Sequence, residues 1–207
     1  MRFFSFTRPL LLLLPLSACQ MVSSNYTGEI TQTAASHIVV CHGYDCYYKT
    51  KLPVTRADAS RYAAIMARGR ASPEAERRAI GEAIIHFEGK SAALLGRKDT
   101  PMSQFGNSRI KGEMDCIDEG TNSESLMRYL QGRKLLRHHT VTGTVSRGFI
   151  LDGQFPHVAA VLEEKGGTKW AVDSWPVAVG TAPTIMPLKQ WVVDGNLGEE
   201  LSAAMGS

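Results

Sequence analysis

The sequence predicts an α+β domain in which helices pack on one face of a mostly antiparallel sheet. Three observations predict it. Helical periodicity and capping residues occupy the stretch from Thr55 to Gln131. From Leu136 onward the pattern changes to period two with β-branched residues. A Gly-rich turn, Lys165-Gly166-Gly167, then joins two of the late strands as a hairpin. With 207 residues, 43% of them hydrophobic, the chain can build one ordinary globular core, which excludes a disordered tail protein. Its 23 basic against 20 acidic residues leave too little positive charge to concentrate on a nucleic-acid-binding face.

The first segment, Met1–Ala18, reads as a leader rather than as part of the fold. Arg2 and Arg8 form a basic start, Leu10 to Leu16 a short apolar run, and Ser17-Ala18 the small residues before a cut. The run is shorter than the roughly 20 residues a membrane span requires. Leu16-Ser17-Ala18-Cys19 resembles the bacterial lipobox, and that resemblance implies acylation of the Cys19 thiol and a chain anchored by lipid in the cell envelope. On this reading the protein stands on the periplasmic face, at the outer membrane. Residues 19–36 are polar, with Ser23-Ser24-Asn25 and Thr31-Gln32-Thr33, and read as a tether. Residues 37–207 then form a single domain.

Within that domain His37-Ile38-Val39-Val40-Cys41 predicts a strand, Gly43 a tight loop, and Tyr47-Tyr48 the start of a second extended piece. Thr55 and Asp58 stand at capping-box spacing before a helix to Arg68 whose apolar face is Tyr62, Ile65 and Met66. Ser72-Pro73 opens a second helix, with Ile80, Ile84 and Phe87 on its apolar face and Gly89 as the expected stop. Residues 90–112 read as a loop. A third helix is expected from Cys116 to Gln131, although Gly120 and Asn122 weaken it. Strands are expected at Thr140–Val145, His157–Glu163 and Thr168–Asp173.

The cysteines divide by expected fate. Export places them where disulfides persist, and Cys41 and Cys46, separated by a Gly-bearing loop, can pair. A metal reading of Cys41, His42 and Cys46 is the weaker one, because adjacent ligands are poorly placed and no second ligand pair of zinc spacing exists. Cys116 is left over. It follows Asp115 at a predicted helix start, where the macrodipole and free N–H groups favour a thiolate. A buried small hydrophobe is the plainer fate for such a residue.

A nucleophile requires a base. His37 and His42 lie near the tether and the small loop, His86 sits on a helix beside Phe87, and the His138-His139 pair is of the kind usually solvated. His157 differs, because the hairpin places Asp173 on the same face, directly opposite or one diagonal step away, within about 4.5–8 Å at Cβ. Thiol, imidazole and carboxylate together suit acyl transfer, with Cys116 as nucleophile, His157 as base and Asp173 orienting the ring. The N–H of Cys116 is the natural oxyanion donor, with Gln104 a candidate second one.

Met114-Asp115-Cys116-Ile117-Asp118, Phe155-Pro156-His157-Val158 and Lys169-Trp170-Ala171-Val172-Asp173-Ser174-Trp175 resemble, in order and spacing, the bacterial transglutaminase-like cysteine peptidases of the papain-like superfamily. The resemblance covers about a third of the chain. Ile117 departs from the pattern, since many relatives carry an aromatic there. What it implies is a papain-like or transglutaminase-like fold, a Cys116–His157–Asp173 triad, no cofactor, and a peptide, protein or peptidoglycan substrate. The same residues are also similar to the peptidoglycan peptidases of the NlpC type, though the Cys-Ser-Gly those enzymes carry is absent. Two other classes fit the sequence: an envelope lipoprotein that binds peptide or glycan through the same cleft, and a scaffold for other envelope components. No glycine pattern suits a nucleotide, flavin or haem.

Overall fold

The structure is a computed structural model that describes residues 36–103, 105–148 and 156–194. Met1–Ala18, Cys19 and the tether to residue 35 lie outside the described residues, as do Gln104 and Phe155. Among the described residues, two antiparallel sheets and four α-helices make up the fold, in the α+β class.

The first sheet pairs β1 (His37–His42) with β2 (Tyr48–Pro53). Ile38 and Val40 of β1 and Leu52 of β2 are buried in the main core, so this hairpin closes one side of it. The helix α1 (Arg56–Arg68) starts at the expected capping box, with Thr55 accepting from the Asp58 N–H and Asp58 from that of Thr55. Its Tyr62, Ile65 and Met66 are buried as a stripe. In α2 (Pro73–Leu95), Ser72 caps the start and Pro73 occupies the first turn.

α2 does not stop at Gly89. That glycine faces open space and needs no special backbone angle, so the helix runs through it and buries Ser91 and Leu95 beyond. Gly96 is the true stop: its φ of 73° is the left-handed geometry glycine supplies cheaply, and its N–H closes on Ala92. The loop expected over residues 90–112 therefore begins only after α2 ends at Leu95.

α3 (Cys116–Gly132) begins and ends almost where the sequence places it. The second sheet has the order β3 (His139–Arg147), β4 (His157–Glu164), β5 (Lys169–Asp173), β6 (Thr184–Pro187), antiparallel throughout. Strand β6 and the short helix α4 (Leu188–Val193) are additions that the periodicity does not reveal. Alternation splits the sheet into two faces. Ala160, Leu162 and Val172 join the helical core with Ile80, Ile84, Leu126 and Leu130, whereas Ala159 and Ala171 face Trp191 of α4. Each fully buried Ile, Leu or Phe contributes about 1.5–3 kcal/mol, so the helical face dominates stability.

Gly120 sets the distance between α3 and β4. A Cβ there would lie 3.1 Å from Val158 Cγ1 and 3.4 Å from the Val158 carbonyl oxygen. The residue expected to weaken the helix instead permits its close approach to the sheet. Asn122 likewise serves packing, accepting from Cys41 N–H at 2.7 Å and donating to Cys41 O at 2.8 Å. Among the described residues no helix is long and apolar enough to cross a membrane.

Candidate functional site

His157 opens β4 and Asp173 closes β5. The register Ala160↔Val172 makes them diagonal neighbours on one face of the hairpin. Their side chains meet: His157 Nε2 lies 2.6 Å from Asp173 Oδ2, with the residues 2% and 5% exposed. The same carboxylate oxygen accepts from Trp191 Nε1 at 2.8 Å. Trp191 also packs on the imidazole, with centroids 5.5 Å apart, and Trp175 covers the ring at 4.8 Å. Arg147 stacks on Trp191 and donates to its carbonyl, tying α4 to the sheet. Nε2 is thus the nitrogen bound to the carboxylate. Among the described residues, Nδ1 is buried with no hydrogen-bond partner.

Cys116 is the first residue of α3 and is half-buried. The backbone N–H groups of Val158, the residue after His157, and of Cys116 itself lie toward its sulfur and favour the charged form. The thiol therefore lies beside the start of β4, next along the strand from His157 and near enough to Asp173 to feel its charge. The expectation of a stabilised thiolate is corrected by the surroundings. Burial, followed by the charge of Asp115, pushes the Cys116 thiol up to about 12, and Asp173 adds to the rise. Desolvation and neighbouring carboxylates outweigh the helix dipole, which is worth only about 0.3–1 kcal/mol at an exposed end. The resting group is a neutral thiol.

The helix start is heavily acidic. Asp115 and Asp118 form a capping box in which each carboxylate accepts from the other's backbone N–H. Burial and then Asp115 push Asp118 up to about 8. Glu119, raised to about 7 by burial, accepts from Ser174 at 2.8 Å, and Ser174 pairs with Ser123 at 3.1 Å. This chain links α3 to the residue after Asp173. Behind Glu119 a cavity of about 10 Å³, room for about one water, is lined by Glu88, Asp99 and Asn122 among others. Burial holds both Glu88 and Asp99 protonated, up to about 9.

Cys41 and Cys46 are disulfide-linked, with Cα atoms 4.5 Å apart. Asp118 is close enough to the two sulfurs to complete a group of possible metal ligands. Its two oxygens are taken by the backbone N–H groups of Tyr44 and Cys46, however, and the sulfurs are bonded to each other. His42 lies outside that group, with Nε2 on Thr50 at 2.9 Å and Nδ1 accepting from Gly112 N–H at 3.3 Å.

The His138-His139 pair departs from the solvated expectation. His139 is buried, and its Nδ1 lies 2.9 Å from Glu76, which also accepts from the N–H groups of Arg137, His138 and His139. Arg77 joins from α2, bonded to Glu164 and stacked on Trp170. This cluster clips α2 to the β3–β4–β5 edge, and among the described residues no thiol or hydroxyl is one of its partners.

Trp191, Glu119 and Ser174 were not singled out by the sequence. Trp191 carried a weak signal, a Trp in an otherwise unassigned tail. Comparison with family models, with curated proteins and with solved structures gives no match, so the site is read from its own geometry.

Proposed function

We propose that this chain is an envelope thiol acyl-transfer enzyme of papain-like or transglutaminase-like architecture, acting on peptide or isopeptide bonds of a peptide, protein or peptidoglycan substrate. Cys116 is the nucleophile, His157 the base and Asp173 the acid that orients it. The observation that carries the reading is His157 itself: one nitrogen is fixed on a buried carboxylate and the other is a buried acceptor with no partner among the described residues. The Cys116 sulfur lies beside the backbone N–H of the adjoining residue, Val158.

The neutral thiol dictates the order of events. At a pKa of about 12 the free thiolate is roughly one part in 10⁵ at neutral pH. Attack therefore proceeds by general-base catalysis, with Nδ1 of His157 taking the thiol proton as sulfur bonds to the carbonyl carbon. Asp173 stabilises the imidazolium and fixes Nε2–H. The backbone N–H of Cys116 faces the oxyanion. Collapse transfers the proton from Nδ1 to the departing amine and leaves a thioester. Water, or a second amine, then attacks with His157 again as base, releasing the acid or the transferred amide. Cys19 acylation would hold the reaction at the membrane surface through the polar tether.

A second reading, peptide or glycan binding without chemistry, is favoured by one observation, the strongly raised thiol. Alkylation of Cys116 by iodoacetamide separates the two. In the enzyme, His157→Ala slows alkylation at neutral pH by about tenfold or more, as loss of a general base requires. Equal rates in both proteins would refute the triad.

A further inference from the structure

The loop closed by Cys41 and Cys46 has an unusual backbone. Gly43, Tyr44, Asp45 and Cys46 have φ of 85°, 69°, 53° and 50°, four consecutive left-handed residues of which three carry side chains. A run of this kind turns successive backbone N–H groups toward one side. Here they point at the start of α3. Tyr44 and Cys46 donate to the two oxygens of Asp118 at 2.8 and 2.7 Å, and Asp45 donates to Asp115 at 3.1 Å. Gly43 donates to the Glu113 carbonyl at 2.6 Å, and Cys41 is bracketed by Asn122. The residue immediately before Cys116 and the one two after it are thus held by a six-residue, disulfide-closed loop. Asp118 is fully buried, and its carboxylate also closes the capping box that starts the helix.

We propose that the Cys41–Cys46 loop is part of the working site, with Asp118 as a positioning residue that transmits the loop's geometry to Cys116, so that opening the disulfide uncouples the thiol from His157. The inference rests on the triad reading above. The disulfide belongs to a small cluster with Val39, separate from the main hydrophobic core, so its loss leaves that core intact. A dithiol reductant opens it by two exchanges: the protein S–S bond becomes two thiols and the dithiol becomes its own disulfide. The left-handed run, no longer covalently closed, relaxes toward ordinary backbone angles and withdraws its N–H groups from Asp118. Reductant, which restores oxidised thiol enzymes, would here slow the enzyme.

The test is the rate of iodoacetamide alkylation of Cys116 across the pH range, read at that residue by mass spectrometry on the full chain. The proteins are oxidised wild type, Cys41→Ser/Cys46→Ser, Asp118→Ala, Asp118→Asn and His157→Ala. Asp115 and Asp173, which act on the thiol, and His157 are unchanged in the double serine variant, so a change in its profile reports geometry. At neutral pH, wild type reacts about tenfold or more faster than His157→Ala. The double serine variant and Asp118→Ala fall to within about twofold of His157→Ala and take on its pH profile. Asp118→Asn lies between, because one amide oxygen still accepts one loop N–H. Near-UV circular dichroism checks that each is folded. Should the double variant fail to fold, dithiol-reduced wild type and Asp118→Asn give the answer. Wild-type rates and profiles in the loop variants, with His157→Ala slow, would overturn the inference and leave the triad standing. A His157→Ala rate equal to wild type would overturn the triad and the inference together.

Discussion

Asp173 is the residue at which stability and chemistry separate most clearly. Its Oδ2 accepts from two buried donors, His157 Nε2 and Trp191 Nε1, while Oδ1 is buried without a partner among the described residues. Replacing it by Ala leaves two orphaned donors at about 1–3 kcal/mol each, and relieves part of the cost of burying a carboxylate. The net loss is roughly 2–4 kcal/mol, a large fraction of the 5–15 kcal/mol typical of a domain. Asn keeps the shape and one acceptor oxygen, so Asp173→Asn costs only about 1–2 kcal/mol. Both donors meet the same oxygen, so the amide oxygen of Asn takes its place and still accepts from His157 and Trp191; what is lost is the negative charge that stabilises the imidazolium as the thiol proton is taken. Urea unfolding measures the first effect, and Cys116 alkylation at neutral pH the second. Asp173→Asn should be folded and alkylate more slowly than wild type. A loss below about 1 kcal/mol in Asp173→Ala, or wild-type alkylation in Asp173→Asn, would refute the reasoning.

Glu76→Ala strips an acceptor from three backbone N–H groups and from His139, and should cost roughly 3–5 kcal/mol in urea unfolding while Cys116 in the folded fraction alkylates at the wild-type rate. Gly120→Val places a branched side chain where even a Cβ would be 3.1 Å from Val158 Cγ1; α3 must move off β4, and both melting temperature and alkylation rate fall, which a thermal melt and the same labelling assay measure. Stability should decline as pH rises from 6 to 9. Glu88 and Asp99, held up to about 9, and Asp118, up to about 8, keep protons in the folded chain that the unfolded chain gives up near pH 4. Asp58 and Glu76, held below their usual range by their donors, act oppositely, and their contribution is lost only as pH falls below about 4.5. A melting temperature that rises over that interval would contradict the assigned burial.

The expectation that Cys116 would be acidic failed for a reason a sequence pattern cannot contain. The dipole of α3 is legible from Asp115 and the helical spacing, but the desolvation of the sulfur depends on what covers it, and on Asp115 and Asp173 sharing its surroundings. His139 failed for the same kind of reason. Beside His138 it resembles a solvated pair, and only the docking of α2 brings Glu76 against it.

Local chemistry sufficed for much of the rest. Thr55 with Asp58, and Ser72 with Pro73, start helices because a side-chain oxygen satisfies free backbone donors a few residues away, an interaction contained in the sequence itself. The Gly-rich turn fixed the β4–β5 register, and with it the pairing of His157 and Asp173, because a hairpin's geometry follows from its loop. Cys41 and Cys46 close a loop short enough to be read directly. Other features needed the folded molecule. Trp191 meets Asp173 only because β6 carries α4 back over the sheet, the Cys41–Cys46 loop meets Asp118 across more than seventy residues of chain, and Gly120 matters only once β4 lies against α3. The sequence by itself determined the helix caps, the hairpin and the Cys41–Cys46 pairing that leaves Cys116 free, all set by neighbours along the chain. Tertiary structure alone decided the protonation of the thiol, the buried acids gathered near it and the contact of the disulfide loop with Asp118, because burial and electrostatics belong to contacts between distant segments.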